Sequence, residues 1–346
     1  MKPRPIFLAC WNVWRRERKC LSPEQAVHWH GFRRTKMMTP LVCPVPDEDE
    51  SISPTISTRY GTIWYAHATV KIGDPSFALD DGAIAQLQQH ILSWYDTFKR
   101  DLPWRGDPDP YHILVSEIML QQTQVDRVMP KYLAFLERFP SLKDLATASI
   151  ADVLRQWQGL GYNRRALNLK RAAEATVQDH GGRLPGTVHD LETLPGIGKY
   201  TARAVASFAF GLQVPVVDTN VRRVLSGFVG RELTDRETWK LAERLLPEGR
   251  AADWNQALMD YGALVKRATP HRSGKPTEPF ASTNRFWRGR IVDALRAHHS
   301  LALSELLEAL PYPNRDEARV RGLVLTLHEE GMVEYDIGRD EVGLPS

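Results

Sequence analysis

The chain has 346 residues, enough for two folded units and a tail, with 42% hydrophobic and 25% charged residues, a globular balance that excludes fibrous and wholly disordered classes. No run of about eighteen apolar residues is present, so no membrane-spanning helix is expected, and a formal charge of +3 neither demands nor excludes a polyanionic partner, because local clustering of Lys and Arg sets the field at a surface. The three cysteines, Cys10, Cys20 and Cys43, all lie near the start, so no disulfide framework or cysteine-held metal is expected to organise the remainder.

Residues 1–80 combine prolines, a basic RRERK run, an acidic DEDE patch and a Ser/Thr stretch without sustained periodicity, which predicts a disordered extension. Basic residues follow its short apolar start where a secretory cleavage site would need small ones, so a cytoplasmic, nucleoid-associated location is expected. Residues 81–281 read as successive short amphipathic helices, among them ILSWYDTFK, YHILVSEIMLQQTQVDRVMPKYLAFLERF, IADVLRQWQGL, RRALNLKRAAEATVQDH and KYTARAVASFAFG. The segment ATPHRSGKPTEPFASTN reads as a linker. Residues 282–346 read as three helices and a hairpin around Gly338, a small winged-helix-like α+β unit of a type that binds either DNA or protein. The fold class expected is all-α, two-lobed, with that α+β appendage.

Three places carry chemistry. LPGIGKYTA, residues 194–202, sets Gly196 and Gly198 between two helical stretches with Lys199 opening the second; such a turn lets backbone N–H groups approach a phosphate at a helix N-terminus, although a plain helix–helix turn produces the same short pattern. Asp218, in VPVVDTNVRRVLSGF, reads on its own as an N-cap carboxylate. Glu117, in DLPWRGDPDPYHILVSEIMLQQTQV, reads on its own as a solvent-facing helix glutamate.

Together, ETLPGIGKYTARAV, the Asp218 segment, residues 101–125 and GLGYNRRALNLKRAA resemble the helix-hairpin-helix (HhH-GPD) DNA glycosylases, and within them the MutY-type adenine glycosylases, over about residues 100–266. The resemblance implies removal of adenine mispaired with 8-oxoguanine or guanine in double-stranded DNA. Glu117 would protonate the purine N7 from an apolar, dry pocket supplied by Ile118, Leu120 and Trp104, and ionised Asp218 would stabilise the oxocarbenium-like sugar. Tyr200 stands where strand-cutting relatives resembling endonuclease III carry a Schiff-base lysine, which implies base removal without efficient strand cleavage; the adjacent Lys199 is turned about 100 degrees away on the helix. Arg100, Leu102 and Arg105 match base-pocket positions. Gln122, Thr123, Leu160, Tyr162, Gly196, Gly198, Lys199 and Asn220 match DNA-binding ones, with a core role equally open for Leu102 and Leu160; Tyr162 beside Arg164 and Arg165 suits stacking near a phosphate backbone.

The pattern breaks twice. Relatives hold an iron–sulfur cluster on four cysteines, whereas Lys266, Ser273, Pro276 and Ser282 occupy those spacings here, so no cluster and no metal centre are expected, while a monovalent cation at the hairpin stays open. Lys266, Arg267, Arg272 and Lys275 are candidates to keep that loop's electrostatic role, a plain linker being the alternative. The Nudix-like domain of larger adenine glycosylases has no counterpart in the last sixty or so residues. The expected partner is mispaired duplex DNA, without a membrane, and the expected state a monomer. Two other readings stay open: a G·T mismatch thymine glycosylase, and a non-catalytic DNA-binding protein.

Overall fold

The computed structural model describes residues 57–58, 61–62, 80–268, 279–311 and 316–346, with the side chains of residues 265–268 excepted. Most of the expected extension over residues 1–80, the linker residues 269–278, and the side chains of Lys266, Arg267, Arg272 and Lys275 lie outside the described residues.

Helices succeed one another as the periodicity predicts. α1 (Asp81–Phe98) starts at Asp80, whose carboxylate accepts from the Ala83 N–H at 2.7 Å. α2 (Pro110–Leu120) starts at Asp109 with Pro110 in the first turn, where a missing N–H costs nothing. Then come α3 (Val125–Arg138), α4 (Leu142–Thr147), α5 (Ile150–Gln156), α6 (Arg164–Asp179), α7 (Val188–Thr193) and α8 (Lys199–Phe208). α9 (Thr219–Val229), α10 (Asp235–Arg244) and α11 (Ala251–Ala268) follow, α10 opening on a Thr234–Glu237 capping box. No helix among the described residues is long and apolar enough to cross a membrane.

Two hydrophobic clusters divide these elements. One joins Ile84, Ile91 and Tyr95 of α1 to Val221, Leu225, Trp254 and Leu258 of α9 and α11. The other gathers the residues between Leu102 and Ala206 and continues into Trp287, Ile291, Val324 and Val342 of the C-terminal unit. The chain enters the first lobe, builds the second from α2 to α8, and returns, so residues far apart in sequence meet where the lobes face each other.

The C-terminal unit contains α12 (Asn284–Arg296), α13 (Leu303–Ala309) and α14 (Glu317–Glu329) with three antiparallel strands, β1 (Ser300–Ala302), β2 (Glu334–Asp336) and β3 (Glu341–Gly343), in the order β1–β3–β2. The β2–β3 hairpin around Gly338 is the one the sequence predicts; β1 is an addition, pairing Leu301 with Val342. Arg321 ties α14 to the hairpin through Asp340 at 2.8 Å and the Tyr335 hydroxyl at 2.7 Å.

The periodic stretch 111–139 is not one helix. It breaks between Leu120 and Val125, with Gln122 at a left-handed φ of 55°. Arg165 caps the break: its guanidinium donates to the Ile118 and Met119 carbonyls at 2.8 and 2.9 Å, taking up C-terminal acceptors of α2 that a continued helix would bond itself.

Candidate active site

α2 buries eight of its eleven residues, so it has no polar face, and Glu117 is its one acid. The Glu117 side chain is enclosed, with the residue 5% exposed, and its Oε2 has no hydrogen-bond partner among the described residues. Ile118 and Trp104, expected beside it, are buried in the same core cluster. Burial pushes the Glu117 carboxyl up to about 7; the Tyr200 hydroxyl, bonded to it, pulls the other way, the charge of Asp218 adds to the rise, and Arg105 opposes it.

Asp218 comes from the other lobe and is held differently. It caps α9, its Oδ1 accepting from the backbone N–H groups of Asn220 (2.8 Å) and Val221 (2.7 Å), its Oδ2 from the Asn220 side chain (2.8 Å). Burial raises its pKa as well, but the Val221 and Asn220 donors and the Arg223 charge all work to keep the anion. The N-cap reading is therefore correct for this aspartate. Tyr200, at the start of α8, is the third member: burial, Glu117 and Asp218 all raise its phenol well above the ordinary range, which keeps it a neutral donor. Its neighbour Lys199 is exposed, as a one-residue step around a helix requires.

Arg100 and Arg105 converge on Asp260 of α11, a residue 3% exposed. Arg105 makes a two-pronged pair at 2.7 and 2.9 Å, and Arg100 adds its Nε at 2.6 Å. Burial alone would raise the Asp260 carboxyl; the hydrogen bonds and charges of Arg105 and Arg100 outweigh it and hold it below the usual carboxylate range. The pair thus joins the loop before α2 to α11, and Arg105 also acts on Glu117. Two residues on, Gly262 packs against α9 so closely that an added Cβ would lie 2.5 Å from the Asn220 carbonyl oxygen, and the Gly262 carbonyl accepts from Arg223 at 3.0 Å. Asp260 and Gly262 were absent from the expected site; their signal was the segment MDYGA, whose partners lie too far away in sequence to be paired by spacing.

Several expected residues have other or additional duties. Leu102 and Leu160 are core, 6% and 3% exposed, so their side chains support the site from beneath and do not present a surface. Asn220 spends its side chain on Asp218 and on Arg223, at 3.0 Å, and acts as a positioning residue. Arg165, one of the basic pair beside Tyr162, is turned inward: besides α2 it holds Thr123 Oγ1 (3.0 Å) and the Leu160 and Gly161 carbonyls (both 3.1 Å), and burial lowers its pKa to about 10. One guanidinium thereby fixes both the 121–124 and 159–163 loops. Gln122 is exposed and Thr123 half-buried. Tyr162 stands half-exposed at a φ of 47°, between Gly161 and α6.

At the hairpin the two glycines differ. Gly196 has a φ of +75°, and a Cβ there would meet the Asn168 side chain at 2.5 Å, so the fold itself demands glycine. Gly198 caps α8 with an ordinary φ of −96° and an open Cβ position, with nothing described within 4 Å. Internal packing does not account for glycine there.

The family model described as HhH-GPD superfamily base excision DNA repair protein matches residues 115–248, a span that includes Glu117, Tyr200 and Asp218. An adenine DNA glycosylase of Mycolicibacterium smegmatis is 42% identical over 231 residues, covering 60% of this chain and 79% of that protein. The chain belongs to the adenine DNA glycosylase family of the HhH-GPD superfamily. The human adenine DNA glycosylase is also 42% identical, over 208 residues, but the matched region spans only 38% of its length and 56% of this chain. Among solved structures, a thermostable thymine-DNA glycosylase aligns with a TM-score of 0.50 and 34% identity, covering 52% of this chain and 86% of that one. The mycobacterial relative is thus matched over most of its length, the human one over less than half.

Proposed function

We propose that this protein excises adenine mispaired with 8-oxoguanine or guanine in double-stranded DNA by hydrolysing the N-glycosidic bond, and leaves the strand uncut. The observation that carries the reading is the unequal pair of carboxyls: Glu117, pushed up to about 7 by burial, opposite Asp218, whose oxygens take three N–H donors. Loss of a purine from deoxyribose needs a proton delivered to the base while positive charge grows on the sugar, and a neutral acid beside an anion divides that work. Glu117 delivers its proton to N7 of the extruded adenine, the C1′–N9 bond breaks and the base departs neutral, Asp218 stabilises the sugar cation, and water adds to the anomeric carbon with its proton returned to the Glu117 carboxylate. Tyr200 has no amine to form a Schiff base with the resulting sugar, so excision stops there.

Supporting the DNA partner, the open Cβ position at Gly198 and the exposed Lys199 leave the N-terminus of α8 free for a phosphate, and exposed Gln122 and half-exposed Tyr162 sit on two loops pinned by one arginine. The reading includes no iron–sulfur cluster: none of the residues at 266, 273, 276 and 282 offers a thiolate, and the Ser282 hydroxyl is bonded to the Pro279 carbonyl at 2.6 Å.

The 34% identity to a thymine-DNA glycosylase keeps G·T as a second substrate reading. A pyrimidine has no N7 and offers an acid only its carbonyl oxygens, so the proton position assigned to Glu117 fits adenine better. Duplexes with A opposite 8-oxoguanine, A opposite G and T opposite G distinguish the two: alkali-labile sites in the adenine duplexes, lost in Glu117→Gln, are expected, and lability confined to T opposite G would overturn the reading.

A further inference from the structure

α12 carries four arginines besides its packing residues, and three of them are committed to acids. Arg288 pairs with Glu330 at 2.5 Å, Arg290 with Asp293 at 2.5 Å, and Arg296 with Asp293. Arg296 also donates to the Asn163 side chain (3.0 Å) and the Leu154 carbonyl (2.9 Å), so α12 is anchored to the loop that carries Tyr162. Arg285 is different. It is exposed, makes no hydrogen bond or ion pair among the described residues, and its guanidinium carbon lies 3.6 Å from the centre of the Tyr162 ring.

Stacking on an aromatic ring restrains a guanidinium while leaving its N–H donors free, which lowers the ordering cost of a later hydrogen bond. Two further cations border the same loop: the Lys131 side chain passes 3.7 Å from the Cβ position of Gly159, and Arg164 is well exposed, with only a 3.9 Å contact to a Glu330 already paired with Arg288. A cationic rim around a tyrosine held at positive φ is a surface for a nucleic-acid backbone.

We propose that Arg285 makes the C-terminal unit part of the duplex-binding surface, its guanidinium hydrogen-bonding a phosphate of the strand that meets the Tyr162 loop. This rests on the DNA partner proposed above and extends the interface from the catalytic lobes to α12. Such a contact positions the duplex at the Tyr162 loop and carries no sequence or opposite-base preference of its own.

The test measures equilibrium binding of the full chain to a duplex containing non-hydrolysable 2′-fluoro-2′-deoxyadenosine opposite guanine or opposite 8-oxoguanine, over a range of salt concentrations. Arg285→Ala is expected to weaken both duplexes by roughly the same factor, about tenfold at low salt, and to reduce the slope of log affinity against log salt by about 1. Arg290→Ala, which removes the same charge from the same helix, is expected to leave the slope unchanged, and Arg285→Lys to keep the slope with part of the affinity. Equal behaviour of Arg285→Ala and wild type, equal behaviour of Arg285→Ala and Arg290→Ala, or a loss confined to one opposite base would each overturn the proposal. Adenine release by the wild-type chain, assayed separately on hydrolysable duplexes, tells a failure of the catalytic reading apart from a failure of this contact.

Discussion

Glu117 and Asp218 are carboxylic acids of nearly the same intrinsic strength; burial raises the pKa of both, and the two lobes differ in what they set against it. The α2 lobe buries Glu117 and leaves one oxygen without a donor, so desolvation governs it. The α9 lobe places Asp218 at a helix N-terminus, where backbone N–H groups, the Asn220 amide and Arg223 favour the anion. Acid and anion are thus assigned by local structure, one by a helix without a polar face and the other by a cap, and the charge of Asp218 adds to the rise at Glu117.

Removing the groups themselves gives the largest effects. Glu117→Gln is expected to slow single-turnover adenine release by about 10²–10⁴-fold, the usual contribution of a positioned acid. Asp218→Asn keeps a competent cap while deleting the charge, and a loss of similar size, with an unchanged melting temperature, separates chemistry from folding. Equal rates for wild type and Asp218→Asn would abolish the distinction between the two acids.

The same burial carries a stability signature. A carboxyl raised from 4.5 to about 7 stabilises the fold in its neutral form; that stability is complete below the unfolded value of 4.5 and is lost as pH rises through 7. Glu117→Gln is therefore expected to be more stable than wild type at about pH 8, by up to roughly 3 kcal/mol, and equally stable near pH 4.5. Denaturant titrations at both pH values measure the difference, and its absence would place Glu117 in a wetter site than the one described.

Gly262→Ala attacks the Asp218 side alone. Its methyl group would press on the Asn220 carbonyl, so a destabilisation of about 1–3 kcal/mol is expected, with slower base release and unchanged DNA affinity. Tyr200→Phe sharpens the Glu117 side: losing a donor that favours the carboxylate should move the alkaline limb of the pH–rate profile upward, without strand cleavage appearing. The smallest effect belongs to the hairpin, where Gly198→Ala should alter stability by no more than about 0.5 kcal/mol while weakening duplex binding, whereas Gly196→Ala should unfold the turn.

The order of helices and the hairpin were legible in the sequence, because amphipathic period and glycine spacing are local patterns; Glu117 and Asp218 were singled out by the resemblance of their segments, since Glu117 on its own reads as solvent-facing and Asp218 as a cap. What escaped depends on contacts between distant segments. Asp260 is paired with arginines about 160 positions earlier, and nothing in MDYGA announces them. Arg165 follows a tyrosine and a second arginine; its inward turn goes with the carbonyls at the end of α2 that it satisfies, partners 46 and 47 positions earlier in the chain. β1 has three residues, too few for an alternation to register. The stacking of Arg285 on Tyr162 joins two units that the sequence presents as separate, and no periodicity spans them.

The most direct test of unequal acids is the pH dependence of single-turnover adenine release from a duplex with adenine opposite guanine. A rate that falls on the alkaline side with an apparent pKa of about 7, the value burial confers on Glu117, is predicted, and Glu117→Gln should lack that limb. A wild-type rate that stays flat or climbs through neutrality would contradict it.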